Sequence, residues 1–198
     1  MDIAGTYDRA APRWGKQVAR LGYGTAYEDF LSGHTIPDGP VLDVGTGDGI
    51  FARSWIAQNG STDFTLLDPS AAMLEHARNQ FARSGLCPRL VNSSLEGFDP
   101  DNGFCAILAA HVFEHFADPW TALSILARGL RPSGKLFLVI SKPHWCNWLI
   151  WIRFRHRWFA PEQIVHMALD AGLTHQMTHD FKCGPPSRTS LGYIFTKP

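Results

Sequence analysis

Three glycines follow a short apolar run in the sequence VLDVGTGDG. Gly45, Gly47 and Gly49 lack the Cβ atoms that would keep a ligand away from the backbone amides, and the stretch leads into a helical pattern. Asp43 lies two residues before the first glycine, and Asp68 ends the next apolar run, at the spacing where a carboxylate can bind ribose hydroxyls. The pattern predicts a site for a ligand that contains a nucleoside.

His111 follows the apolar run CAILAA, at the predicted carboxyl end of a strand, where ligands of open α/β sheets bind. An imidazole there can accept a proton from a hydroxyl or an acidic carbon. The alternative is a loop histidine that only shapes the pocket, and for His115 we favour a structural role. The segment HVFEH also matches the H-x-x-E-H pattern of zinc peptidases, but that pattern requires a helix. Because these residues follow a strand directly, we predict no metal site.

The segment WCNWLIWIRFRHRWF, from Trp145 to Phe159, combines tryptophans with arginines. Its periodicity fits both a helix and a strand. One interpretation is a hydrophobic substrate pocket or lid, in which Trp145 and Trp148 offer apolar surface and Arg155 binds an anionic group. The alternatives are core packing or a dimer interface, where aromatic residues and arginine are also enriched.

The elements that must position these residues alternate between strands and helices from residue 41 onward. Predicted strands are VLDVG, FTLLDPS, PRLVNSS, CAILAA and KLFLVIS, and predicted helices follow the first, second and fourth of them. The third of these helices starts at Asp118 and is ended by residues 132–134. A further helix runs from Pro161 to Ala171. The last two strands, LTHQMTHDF and SLGYIFTK, have only a Pro-rich turn between them and should pair antiparallel.

Length and composition favour one globular domain. The chain has 198 residues, 45% of them hydrophobic and 18% charged, which excludes global disorder. With 18 basic and 18 acidic residues, it has no net charge to attract nucleic acid. No signal peptide or transmembrane run is recognisable, and the four cysteines form no CxxC pair. These features predict a cytoplasmic protein with free thiols.

In these motifs the chain resembles the class I S-adenosylmethionine (SAM) dependent methyltransferases, in particular the ubiquinone and menaquinone methyltransferase-like group. The resemblance extends from about Tyr7 to about Ile140, through VLDVGTGDG, LLDPS, HVFEHFADP and LRPSGKLFLVI in the family's order. It implies a Rossmann-like α/β fold: a doubly wound, seven-stranded sheet, mostly parallel with the last strand antiparallel and helices on both faces. It also implies a single methyltransferase domain over residues 1–198, with residues 1–35 as an N-terminal helical cap and residues 143–160 as an aromatic-rich insertion after the fifth strand.

The resemblance also implies roles for individual residues. Gly45 and Gly47 would pass under SAM, Asp43 would help to hold its amino group, and Asp68 would bind both ribose hydroxyls. Further positions that the resemblance assigns to the cofactor are Tyr7, Pro69, Met73, Ser94, Leu95 and Ala110. Tyr7 and Trp14 of the opening helix can either close over the cofactor or pack on the sheet. Many relatives have an aspartate after the third strand, where this chain has Ser93 and Ser94, so the adenine contacts can differ by a residue.

The sequence thus predicts a SAM-dependent methyltransferase that acts on a small, aromatic or lipophilic molecule and releases S-adenosylhomocysteine (SAH). His111 is the candidate catalytic residue, and a homodimer is possible. An alternative is a SAM-binding regulatory or assembly protein without turnover. A nicotinamide oxidoreductase fits less well, because its fingerprint separates the last two glycines by two residues, whereas only Asp48 separates Gly47 from Gly49.

Overall fold

The computed structural model describes Gly5 and residues 18–34, 37–58, 60–100, 103–142 and 157–198. Within these ranges, helices and strands follow one another largely in the predicted order. The helices are α1 (Tyr23–Leu31), α2 (Ile50–Ala57), α3 (Ala71–Ala82), α4 (Pro119–Gly129), α5 (Pro161–Asp170) and the short α6 (Pro186–Thr189). The strands are β1 (Val41–Val44), β2 (Phe64–Leu67), β3 (Arg89–Val91), β4 (Phe104–Ala110), β5 (Leu130–Ser141), β6 (Thr174–Asp180) and β7 (Ser190–Thr196). A single 3-10 turn, Phe113–His115, follows β4.

The strands form one seven-stranded sheet in the order β3-β2-β1-β4-β5-β7-β6. The pairs from β3 to β5 are parallel, whereas β7 runs antiparallel to both of its neighbours, β5 and β6. The predicted fold class is therefore confirmed. The sequence order reverses on either side of β1, so the carboxyl ends of β1 and β4 open a crevice at a topological switch point.

Two hydrophobic clusters hold helices against the two faces of this sheet. β1 is buried along its whole length, and its side chains alternate between the faces. Val41 belongs to the cluster formed with α1, α2 and α3, whereas Leu42 and Val44 belong to the cluster formed with α4 and α5. By this alternation Asp43 lies on the same face as Val41, which places a carboxylate under α1 and α2.

The start of α4 follows the expected capping chemistry, whereas its end and the connection between β6 and β7 differ from the prediction. Asp118 caps α4 by accepting hydrogen bonds from the backbone amides of Trp120 and Thr121. α4 ends at Gly129 and not at residues 132–134, because Leu130 already pairs with Phe104 at the start of β5. The connection between β6 and β7, predicted as a turn without a helix, contains the four-residue α6. Pro186, the first residue of α6, fits the first turn of a helix, where the backbone amide has no partner within the helix.

The predicted division of the chain into a cap, a core and an insertion stays a prediction. Only part of residues 1–35 and of residues 143–160 falls within the described ranges. No helix in the described ranges is long and apolar enough to span a membrane.

We expect Phe137→Ala to lower the free energy of unfolding by about 3–5 kcal/mol, the usual cost of truncating a buried Phe. Phe137 lies in the middle of β5 with no exposed surface, and its ring meets Trp55 at 5.2 Å and Phe30 at 6.1 Å between centroids. Chemical denaturation would measure the change. Leu169→Ala, at a side chain of α5 that is 50% exposed, is the control and should cost about 0.5 kcal/mol or less.

Candidate active site

The loop between β1 and α2 turns sharply at the carboxyl edge of the sheet. Gly45, Gly47 and Gly49 all have left-handed backbone, with φ of 63°, 55° and 77°. Side chains with a Cβ rarely adopt these angles, so the glycines are required by the turn itself. A Cβ on Gly45 would also lie 2.5 Å from Cγ2 of Val112, which follows β4. The close approach that Gly45 permits is therefore between two strand ends of the chain.

Asp68 ties this loop to the end of the neighbouring strand. The amide of Gly47 donates to Oδ2 of Asp68 at 2.9 Å, and the amide of Ser70 donates to Oδ1 at 2.8 Å. The carboxylate is buried. Each oxygen of a carboxylate can accept more than one hydrogen bond. Asp68 thus fixes the glycine loop and the start of α3 at the position where the sequence predicted a ribose contact.

Asp43 is buried in β1, and the hydroxyl of Thr46 donates to its Oδ2 at 2.6 Å. Burial raises the pKa of Asp43 from 3.8 to about 7, because it penalises the charged form, and the negative charges of Asp68 and Asp48 act in the same direction. The hydrogen bond from Thr46 opposes this change only in part. The group at the predicted amino-group site therefore exchanges a proton near neutral pH. The sequence analysis did not identify Thr46, although its place three residues after Asp43 in the turn was a usable signal.

The other predicted cofactor residues lie around the ends of β2, β3 and β4. Met73 and Leu95 are buried, Pro69 and Ser94 are exposed, and Ala110 is half-buried at the end of β4. Asn92 was missed by the sequence analysis. Its side-chain amide donates to the carbonyls of Asp68 (3.1 Å) and Pro69 (3.0 Å) and so joins the ends of β2 and β3. A polar residue directly after a strand was the available signal.

His111 has left-handed backbone, with φ of 55°, although it carries a side chain. Such a conformation costs about 1–3 kcal/mol and persists only where the surroundings impose it. The amide of His111 donates to the carbonyl of Val139, which extends the pairing of β4 with β5. The imidazole is packed edge-on against Tyr23 at 5.2 Å. His111 is thus held at the carboxyl edge, beside Val112 and the glycine loop, as the prediction requires.

Hydroxyl and carboxylate groups surround the imidazole on both sides. Nδ1 lies 3.1 Å from Oγ of Ser141 and 3.5 Å from Oε1 of Glu114, and Nε2 lies 3.4 Å from Oγ of Ser190. These partners come from the end of β5, the 3-10 turn and the start of β7. The sequence analysis noted Glu114 only as a letter of the HVFEH pattern and missed both serines.

Glu114 is fully buried, yet it is ionised. Burial by itself opposes its charge, but the hydrogen bond and charge of His111 and the amide of Ser141, which donates to Oε1 at 2.6 Å, outweigh burial and lower the pKa of Glu114 from 4.5 to about 2. Oε2 of Glu114 is buried and has no hydrogen-bond partner among the residues that the structure describes. A buried carboxylate held in its charged form is a costly arrangement that needs the partners described above.

The geometry does not fit the zinc-peptidase alternative. That pattern needs two histidines one turn apart on a helix, but His111 has left-handed backbone and only Phe113–His115 form a 3-10 turn. In the described part of the chain, no group of three histidine, cysteine or acidic residues is placed to bind a metal ion.

Some residues named in the sequence analysis lie outside the described residues. They are Tyr7, Trp14, Trp145, Trp148 and Arg155.

Comparison with known proteins gives the same assignment as the motifs. Residues 41–134 match a family described as a methyltransferase domain. A ubiquinone biosynthesis O-methyltransferase of Pectobacterium atrosepticum is 33% identical over 120 residues, which are 60% of this chain and 47% of the relative. A demethylmenaquinone methyltransferase of Chlamydia pneumoniae is 33% identical over 104 residues, which are 52% of this chain and 44% of the relative. The chain spans about half the length of the curated relatives it matches.

Among solved structures, the fold is similar to a chain of the complex between the Haloferax volcanii Trm112 methyltransferase activator and a methyltransferase. The TM-score is 0.77 at 18% sequence identity, and the match covers 97% of each chain. At this identity the likeness concerns the fold alone.

We expect the stability of Asp43→Asn, relative to wild type, to increase between about pH 4 and about pH 7. Folded Asp43 keeps its proton up to about pH 7, whereas the unfolded chain loses it near pH 3.8, so over this interval the unfolded state binds fewer protons. Wild type therefore loses roughly 2–4 kcal/mol of stability from this group as the pH rises, and Asn does not. Urea unfolding across this range measures the difference.

Below about pH 3 the carboxyl group is largely protonated in both states, so the two proteins compared there provide the internal control. A stability difference that stays constant across the interval would contradict a raised pKa for Asp43.

Proposed function

We propose that this chain, in which residues 41–134 match a methyltransferase domain, is a class I SAM-dependent methyltransferase that transfers the methyl group of SAM to a small aromatic or lipophilic molecule. The observation that carries this proposal is the hydrogen bond from Gly47 to Asp68. It joins a left-handed glycine loop after β1 to a carboxylate after β2, so that backbone amides and a ribose-binding group face one crevice.

Asp68 and the glycine loop hold the nucleoside in this proposal. The carboxylate is fixed by two backbone amides before any ligand arrives, so binding needs no reorientation of its side chain. The side-chain amide of Asn92 holds the backbone of Asp68 and Pro69 by donating to their carbonyls. Pro69, Met73, Ser94 and Leu95 lie on the elements that border this part of the crevice and are proposed to flank the adenine.

Asp43 faces the cationic amino group of the methionine moiety in this proposal. A positive charge nearby favours the carboxylate over the acid, so binding expels the proton that burial retains at neutral pH. Ligand binding and proton release are then coupled at Asp43, with Thr46 as the fixed hydrogen-bond donor that orients Oδ2.

His111 is the proposed general base. SAM, when bound, supplies an electrophilic methyl group on a sulfonium ion. The chain must then orient the acceptor, exclude water and accept a proton from acceptors that carry one at the reacting atom. His111 lies at the end of β4, next to Ala110 and opposite Ser141 of β5, and its imidazole is 21% exposed on this edge.

The acceptor class is supported by the relatives and by the position of the aromatic segment. The two relatives are named for quinone biosynthesis reactions, and a quinone precursor is both aromatic and lipophilic. Residues 143–160 continue directly from the end of β5, where Ser141 contacts His111. Trp145, Trp148 and Arg155 are therefore proposed to bind the acceptor. A homodimer and a cytoplasmic location stay predictions.

We expect Asp68→Ala to weaken SAH binding at least tenfold. Loss of charge-assisted hydrogen bonds to the ribose costs roughly 1.5–3 kcal/mol, and the amide of Gly47 loses its acceptor as well. Isothermal calorimetry with the folded variant measures the affinity. Asp63→Ala is the matched control, because Asp63 is an exposed aspartate at the opposite end of β2.

Unchanged SAH affinity in folded Asp68→Ala would remove Asp68 from the ribose site. A thermal-shift comparison of SAM, SAH and NAD tests the class of ligand, since a ligand that binds only the folded state raises its stability. Stabilisation by NAD alone would favour an oxidoreductase. SAM binding without methyl transfer to any aromatic acceptor would favour the SAM-binding protein without turnover.

For the acceptor site, we expect Trp148→Ala and Arg155→Ala to raise KM for the acceptor while SAH affinity stays within about twofold, because only acceptor contacts are removed. Steady-state kinetics combined with SAH calorimetry measures both quantities. If the variants instead become monomeric with full activity, the segment is an interface between copies of the chain.

A further inference from the structure

Glu114 has no part in the proposed function so far, although it is the most completely buried carboxylate near His111. Its side chain has no exposed surface, and Oε1 lies 3.5 Å from Nδ1 of His111. A role limited to capping Ser141 would need only one hydrogen bond, which a neutral side chain can also accept. The carboxylate of Glu114, the imidazole of His111 and the hydroxyls of Ser141 and Ser190 form one cluster.

The hydrogen atoms in this cluster can be assigned from its chemistry. An ionised carboxylate only accepts, and the amide of Ser141 already donates to Oε1. Because the carboxylate cannot donate, a hydrogen bond between His111 and Glu114 requires the proton on Nδ1 of the imidazole, which lies 3.5 Å from Oε1 and 3.1 Å from Oγ of Ser141. A neutral imidazole with Nδ1 protonated has its lone pair on Nε2.

The contacts on the other side of the ring allow this assignment. Oγ of Ser190 lies 3.4 Å from Nε2 and 3.3 Å from Oγ1 of Thr189. The hydroxyl of Thr189 donates to the carbonyl of Pro185 at 2.9 Å. The hydroxyl of Ser190 has one proton, which can be donated either to Oγ1 of Thr189 or to Nε2. When it is donated to Nε2, an O–H group faces the lone pair of Nε2, as the hydroxyl of an acceptor would.

We propose that Glu114 is a positioning residue that holds His111 in its Nδ1–H tautomer, so that Nε2 takes the proton of a hydroxyl acceptor. This inference rests on the proposed function. In the step, the acceptor oxygen forms a bond to the methyl carbon while the carbon–sulfur bond breaks and its electron pair stays on sulfur. The acceptor proton passes to Nε2, which leaves a methyl ether, SAH and an imidazolium ion paired with Glu114.

The surroundings of His111 limit what else can set its tautomer. Glu114 and His115 of the 3-10 turn and Tyr23 of α1 are the titratable groups that face it in the described ranges. β5 and β7 contribute the hydroxyls of Ser141 and Ser190. Of these groups, Glu114 alone carries a fixed negative charge beside Nδ1, and it therefore favours a proton on that nitrogen.

The test reads the tautomer of His111 directly, without an acceptor. Long-range proton–nitrogen NMR of the whole chain distinguishes Nδ1–H, Nε2–H and doubly protonated rings by their nitrogen shifts, and the tautomer is read from the neutral ring. His111→Asn assigns the signals of His111. We expect predominantly Nδ1–H in wild type, and in Glu114→Gln a shift that leaves about half or less of the population in that form, because an amide can donate to Nδ1 as well as accept from it.

Two control variants separate positioning from packing. Glu28→Gln, at an exposed glutamate of α1, should leave the tautomer unchanged. Ser190→Ala should also keep Nδ1–H, because Glu114 and not Ser190 sets the tautomer. A predominantly Nε2–H ring in wild type would overturn the inference even if Glu114→Gln does not fold. A folded Glu114→Gln with unchanged tautomer, or a Ser190→Ala that changes it, would overturn it as well.

The same samples distinguish failure of this inference from failure of the proposed function. SAH calorimetry on wild type tests cofactor binding, which does not depend on the tautomer. If SAH binds and His111 is Nε2–H, the positioning role of Glu114 is wrong while the proposed function stands. If His111 is Nδ1–H and SAH does not bind, Glu114 orders the imidazole for a reaction other than methyl transfer from SAM, and the inference fails together with the proposed function.

Discussion

The crevice depends on the hydrogen bond between the amide of Gly47 and the carboxylate of Asp68. Parallel strands bring the ends of β1 and β2 to one edge, but the sheet does not fix the conformation of the loops beyond it. A left-handed glycine loop has little conformational preference of its own, so an external acceptor must hold its amides. Asp68 supplies that acceptor and is itself held by the amide of Ser70 and, through its backbone, by Asn92.

Much of the fold could be predicted because its signals are local. The run VLDV consists of residues that are buried on both faces, which predicts a central strand, and the glycines after it predict a tight turn. Asp118 followed by Pro119 is also a local signal, and it predicts the start of α4. The end of α4 could not be predicted from residues 132–134, because pairing of Leu130 with Phe104 determines it, and that contact joins distant parts of the sequence.

The same distinction explains which site residues the sequence reveals. Asp43, Asp68 and His111 stand at fixed places relative to strand ends, so pattern reasoning places them at the carboxyl edge. Ser141 and Ser190 contact His111 only because β5 and β7 pair in register at that edge. The charge of Glu114 depends on those long-range partners as well, and a short motif such as HVFEH carries no information about them.

Two buried carboxyl groups on this edge differ in protonation, because their hydrogen-bond partners differ. Asp43 receives a hydroxyl donor but also faces the charges of Asp68 and Asp48, so its pKa rises to about 7. Glu114 receives a backbone amide and the imidazole, so its pKa falls to about 2. In the proposed reaction, a cation that approaches Asp43 would displace a proton, whereas a cation on His111 would be paired with the carboxylate of Glu114. The proposed crevice would then provide a protonated acid for an incoming positive charge and an anion for one that develops during the reaction.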